Sequence, residues 1–175
     1  MSSKTISEFL TNLSLFHWAF FVFFASSLAF FCWFWKFIKI QIRFGKNLKR
    51  TVYFLMTSEA KKLDTEKNTL NKLEIFNLDK EVKDISINDK VLQTVKKNAV
   101  YIVGYDNEYD KYVDLFATAR NTMIPIIVFA NPGEIKKKEH WDIFNGYIYC
   151  DVANTTNRIA MILMSMMKIV PSHKA

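Results

Sequence analysis

Four polar runs each follow an apolar stretch, and they hold residue types suited to binding a phosphate or a carboxylate. They are Thr57-Ser58-Glu59, Gly104-Tyr105-Asp106, Asn131-Pro132-Gly133, and Asp151 through Arg158. Each abuts a predicted helix start or a turn, where free backbone N–H groups favour an anion. Ser58, Thr155, Thr156, Asn157 and Arg158 can donate to a nucleotide, with Asn154 beside them. Ser58, Asn154 and Thr155 are equally suited to the simpler task of capping a helix.

A second group is acidic: Asp106, Glu108, Asp110 and Asp114 surround the start of a predicted helix. The helix dipole alone favours acids there. As chemistry, Glu108 or Asp114 is the candidate catalytic carboxylate. Neither GxGxxG nor GxxxxGK[ST] occurs, so the common dinucleotide and P-loop fingerprints are missing. No Ser/His/Asp or Cys/His arrangement stands at motif spacing. His17, His140 and His173 are scattered, and Cys32 and Cys150 offer no ligand spacing, so no metal site and no cofactor is expected. The cysteines read as two reduced, buried thiols.

The elements that must position the polar runs alternate regularly. Strands are expected at Thr51–Met56, Leu73–Leu78, Ala99–Gly104, Ile124–Ala130 and Gly146–Asp151. Helices are expected at Glu59–Asn71, with Leu63 and Leu70 inward, and from Asn88 or Asp89, with Val91, Leu92 and Val95 on one face. Two more are expected at Tyr109–Asn121 and Thr156–Ile169. The stretch from Asn131 through Lys136–Lys138 reads as a loop. Pro125 suits the first position of the fourth strand. Alternation of this kind predicts an α/β fold, a five-stranded parallel sheet with helices on both faces. About 125 residues suit a flavodoxin-like order, in which ligands gather beyond the carboxyl ends of the strands.

The N-terminal third is different. Leu15–Trp35 is apolar throughout, with no formal charge apart from a proton on His17. About 20 such residues in a helix cross a hydrocarbon core of ~30 Å. Trp18 lies near one edge, and Trp33 and Trp35 near the other, where amphipathic rings settle. Lys36, Lys39, Arg43, Lys46, Lys49 and Arg50 follow the span without an acid, while Lys4 and Glu8 cancel. Residues 51–175 are nearly neutral, with 17 basic and 16 acidic residues. The net charge of +7 therefore belongs beside anionic lipid headgroups, and direct DNA binding is not expected. A cleaved signal peptide fits poorly, because the basic region lies on the wrong side of an overlong apolar run.

The resulting map is an extracytoplasmic N-terminus (1–14), a transmembrane helix (15–35), a basic stem (36–50) and a cytosolic domain (51–175). The positive-inside rule gives a single pass through the plasma (inner) membrane, N-terminus out. Gly45 and Asn47 are the expected ends of the stem. Ala25, Ser26, Ser27 and Ala29 are small residues that let helices approach, so a homo-oligomer is expected.

The segment Ala99–Asn131 has a strand ending in Gly-Tyr, a Tyr-rich helix and an Ile-Pro-Ile-Ile-Val strand. In this it resembles TIR-like and CARF-like Rossmannoid domains. With a single helix ahead, the chain looks like bacterial defence effectors, among them CRISPR-associated membrane proteins with a CARF domain. That resemblance implies a non-enzymatic antiviral sensor. It would bind a cyclic oligoadenylate second messenger and assemble or rearrange membrane helices until the membrane depolarises. The TIR resemblance implies instead an anchored NAD hydrolase using Glu108 or Asp114, or a TIR-like interaction module. The Trp-Cys pair usual before the hydrolase glutamate is missing here.

Overall fold

A computed structural model describes residues 15–56, 63–84, 98–107 and 109–171. The chain divides into two compact units, residues 1–41 and 42–175.

The first unit holds most of helix α1, Leu15–Leu48. It is the one helix, among the described residues, long and apolar enough to cross a membrane. Its 34 residues extend about 51 Å at 1.5 Å each, without a break at the end of the apolar run. Gly45 lies inside the helix and does not end it. Within the apolar segment, the Ser26 hydroxyl donates to the Val22 carbonyl at 2.7 Å, so the helix itself satisfies this polar group. Cys32 is exposed on this helix, contrary to the expectation of a buried thiol.

In the second unit the elements run β1 (Thr51–Met56), α2 (Asp64–Asn71), β2 (Asn77–Asp84), β3 (Ala99–Gly104), α3 (Tyr109–Thr122), β4 (Ile126–Phe129), α4 (Lys138–Asn145), β5 (Cys150–Ala153) and α5 (Thr156–Ile169). All strand pairs are parallel and the order is β2-β1-β3-β4-β5. Every residue of β3 and β4 is buried, as central strands of a covered sheet require. The pleat sorts their side chains by period two. Tyr53, Leu55, Tyr101, Val103, Ile126 and Val128 pack against α3 and α4. Val52, Phe54, Val100, Ile102, Ile127 and Phe129 pack against α2 and α5. Helices thus cover both faces, and each face has its own core.

Three expected elements move. The second strand begins at Asn77, not Leu73, because Leu73 and Ile75 are exposed in the loop before it. Its sequence is mostly charged, which suits the edge of a sheet, and a bulge opposite Val52–Phe54 carries the Lys80 carbonyl bonded by Lys67. The fifth strand begins at Cys150 rather than Gly146. Residues 138–145, where no helix was expected between the lysine run and the fifth strand, form α4, with His140 and Phe144 buried one turn apart. The expected helix starting at Asn88 or Asp89 lies outside the described residues, as does the segment 59–62 of the first domain helix.

Helix α3 ends in a Schellman arrangement. Met123 N–H donates to Arg120 O at 3.4 Å, and Ile124 N–H to Ala119 O at 3.1 Å. Met123 occupies the position usually given to glycine, with φ 53°. Substituting Met123→Gly is expected to raise stability by about 1 kcal/mol, since an L-residue is strained in this conformation. Chemical denaturation of wild type and variant in detergent checks it.

Candidate functional site

The carboxyl ends of β4 and β5 frame an open pocket of about 480 Å³, lined by Ala130, Asn131, Pro132, Gly133, Ile135, Trp141, Val152, Asn154 and Arg158. One wall is a tight turn. Glu134 N–H donates to Asn131 O at 3.0 Å, with Pro132 and Gly133 between them. Gly133 takes φ 75°, the left-handed value that the third position of a type II turn needs. The Glu134 carboxylate accepts the Asn131 N–H at 2.6 Å, closing the turn from the other side.

Thr155 is the N-cap of α5 and its hydroxyl accepts the Arg158 N–H at 3.2 Å. The capping role allowed for Thr155 in the sequence is therefore what it performs. Arg158 extends along the rim, 3.8 Å from Asp151, with about half of each side chain exposed (51% and 44%). An exposed pair this long is weak, so an incoming anion can take the guanidinium from Asp151. The floor is apolar: Ala130, Ile135 and Val152. Trp141 supplies a partly exposed ring whose indole N–H donates to Ile135 O at 3.3 Å and which meets the Phe144 ring edge-on, with centroids 6.5 Å apart.

The rim residues expected from the sequence divide into three groups. Asn131, Asn154 and Arg158 come together in the pocket lining, with Thr155, Thr156 and Asn157 in the cap and first turn of α5 beside it. Gly104, Tyr105 and Asp106 stand at the end of β3 and are tied into the fold. Tyr112 O–H donates to Gly104 O at 3.2 Å and accepts the Asp106 N–H, while Tyr105 is fully buried. Thr57, Ser58, Glu59 and Glu108 lie outside the described residues. Asp114 is exposed on α3 and does not line the pocket. Trp141 and Ile135 were not singled out in the sequence. The lone Trp of the domain, three residues from a lysine run, was the signal available for Trp141.

Behind the β3 end lies a buried aromatic cluster. Tyr105 O–H is 2.8 Å from His140 Nδ1 and 3.2 Å from Asn107 Oδ1. The His140 ring lies among Tyr105, Tyr112 and Phe144, with centroids 5.6, 5.7 and 6.4 Å away. Burial, and then the charge of Lys137, pushes His140 below the ordinary histidine range, outweighing Glu139 and Asp106. Burial, with Glu134 and Asp106, raises the Tyr105 phenol. Burial also raises the Cys150 thiol, with Asp151 adding to it, so this sulfur stays protonated and unreactive. Among the described residues no cluster of His, Cys, Asp or Glu is placed to hold a metal ion.

At the other end of α5, the last residues of α1 close onto the domain. Asn47 and Arg50 are both buried to 1% exposure. The Asn47 amide donates to Met167 O at 2.7 Å and to Val170 O at 2.9 Å. Arg50 Nε donates to Asn47 Oδ1 at 3.0 Å, and its Nη2 to Pro171 O. These are the carbonyls a helix C-terminus leaves unsatisfied, and the guanidinium sits at the negative end of the dipole. Asn47 was expected to end the stem, and α1 ends one residue on, at Leu48. The Asn47 side chain also caps α5, 120 residues away in sequence. The same helix therefore carries the pocket's Arg158 at its start and the α1 junction at its end.

Fold and site together define an open parallel α/β domain with a polar pocket at its strand carboxyl ends, following a helix of membrane-span length. Comparisons with protein-family models, with curated proteins and with solved structures give no match.

Proposed function

We propose that this protein is a membrane-anchored sensor whose Rossmann-like domain binds a nucleotide-class anion at the β4–β5 rim and passes binding to the anchor through α5. The observation that carries the reading is the double role of α5: Arg158 faces the pocket at one end, and Met167 and Val170 hold Asn47 at the other. A base would stack on Trp141 over the apolar floor, and a phosphate would meet Arg158 near the helix start. Helix α1 crosses the plasma membrane with the basic residues on the cytosolic side. Copies of the chain assemble in the membrane, and binding shifts the population of anchor arrangements. On this reading no bond is made or broken in the ligand. The resemblance to CARF-bearing membrane effectors makes a cyclic oligoadenylate the first ligand to test and membrane depolarisation in antiviral defence the output.

Titration of the full chain in detergent with a panel of linear and cyclic nucleotides tests this directly. At least one should raise the melting temperature. Arg158→Ala should then weaken binding roughly 10- to 100-fold, the equivalent of one charge-assisted hydrogen bond, and Trp141→Ala should weaken it as well. A panel without any shift, or unchanged affinity in both variants, would sink the proposed site. Nicotinamide released from NAD by the purified chain would favour the hydrolase reading instead.

A further inference from the structure

In a parallel sheet with helical crossovers, every helix-to-strand loop lies at one edge and every strand-to-helix loop at the other. The pocket occupies the second edge. The first edge carries an anomaly. Five of the eight large apolar residues exposed among the described residues of 51–171 are there: Leu73, Ile75, Met123, Ile148 and Ile169. The α2–β2, α3–β4 and α4–β5 loops, and the end of α5, each contribute at least one. Ile148 leaves 81% of its surface exposed. Met123 holds a left-handed position that glycine adopts without steric strain, and is half-exposed there.

The charges at this edge are also one-sided. Its loops and last helical turns hold Lys46, Lys49, Lys72, Arg120 and Lys168, against Glu74 and Asp142. Helix dipoles favour basic residues at helix ends, but they give no reason for exposed apolar side chains between them. Apolar tips among cations match the interface of an anionic bilayer, where each basic residue and each buried methylene adds attraction. The edge is also where the anchor arrives. Ile42–Leu48 belong to the second unit, and only Lys49 and Arg50 separate α1 from β1. The turn is pinned there by Asn77, which donates to Thr51 Oγ1 at 3.2 Å.

We infer that the helix-to-strand edge of the domain is a lipid-contacting surface, which rests on the anchor reading above. Leu73, Ile75, Met123, Ile148 and Ile169 insert among headgroups while the neighbouring lysines pair with anionic lipid. Helix α1, at about 51 Å, overruns the ~30 Å core by about 20 Å. The edge reaches lipid only when that excess is taken up by tilt or by a stem lying in the headgroup layer. Docking therefore sets the anchor's tilt. It also turns the pocket edge, on the far side of the sheet, towards the aqueous phase.

The test uses the full chain in nanodiscs of phosphatidylcholine and phosphatidylglycerol, with Cys32→Ser removing the exposed thiol. A fluorophore is placed at Ile148→Cys, at Lys136→Cys on the pocket edge, or at Phe24→Cys within α1. Cys150, which is half-buried, is replaced by serine in the same background. Brominated lipid should quench the labels at positions 148 and 24 but not the one at 136. Quenching at 148 should fall in pure phosphatidylcholine, by about fivefold in docked-to-free ratio for each lysine that no longer meets an anionic headgroup. Quenching at 24 with none at 148 overturns the docking and leaves the anchor standing. So does self-quenching between labels at 148 without lipid quenching, which marks the edge as an interface between copies. No quenching at either position removes the anchor reading, and the docking with it.

Discussion

Replacing Asn47 with alanine is expected to destabilise the domain by about 3 kcal/mol, because it breaks three buried hydrogen bonds and strands their partners. The Met167 and Val170 carbonyls lose their donor, and Arg50 Nε loses its acceptor, in a site that water does not reach. The expected readouts are a lowered denaturation midpoint for the full chain in detergent and faster amide exchange at residues 42–50. Arg50→Met should cost less. Among the described residues, no carboxylate pairs with Arg50 and its Nη1 is buried without a hydrogen-bond partner, and burial already pushes its pKa down. Removing such a charge recovers part of its desolvation cost. Equal effects from the two substitutions would show that the amide is not the clamp. If α5 couples the pocket to the anchor, Asn47→Ala should also preserve nucleotide affinity while abolishing ligand-dependent depolarisation, at a temperature where the variant remains folded.

Acid should unfold the domain through His140. Burial depresses its folded pKa below the ordinary value of 6.5. The unfolded chain therefore binds the proton more readily than the folded one. Stability from this group is complete above about pH 6.5 and is lost as pH falls through the folded pKa. Melting temperature measured from pH 7.5 down to 5 should drop, and His140→Phe should flatten that part of the curve while keeping a ring among Tyr105, Tyr112 and Phe144. His140→Ala should cost roughly 3 kcal/mol at pH 7.5, as other buried ring truncations do. A wild-type slope retained in His140→Phe would assign the titration to another group. The cluster sits directly behind the β3 end, so the same loss of packing should loosen the loop that carries Tyr105 and Asp106.

Much of the architecture is readable from local pattern. Ala99–Gly104 is apolar on both faces and becomes the fully buried β3, because only a central parallel strand buries both. Thr155 before an amphipathic run marks the start of α5, and about twenty apolar residues followed by Lys36 mark a helix long and apolar enough to cross a membrane. The second strand is misplaced because Leu73-Glu-Ile-Phe alternates as a strand does, whereas the observed strand Asn77–Asp84 is highly charged. Its pairing comes from β1 beside it and its apolar contacts from Leu78 and Val82. Helix α4 escapes for a related reason. Eight residues that begin within the lysine run, with Lys137 at the N-cap making no side-chain cap bond, have little propensity of their own, and the helix is held by His140 and Phe144 packed against Tyr112 and Phe116 of α3.

By itself, then, the sequence determined that an apolar span precedes a basic stem and an alternating α/β domain, and that polar residues follow its strands. These are properties of composition and period, which any local stretch carries. Only the tertiary structure decided which polar residues meet. Strand order brings the ends of β4 and β5 side by side, and α4 adds Trp141 to the pocket that Arg158 lines. It likewise made Asn47, near the end of α1, the cap of α5. A side chain's partner across more than a hundred residues depends on how the sheet and helices pack, which no local window records.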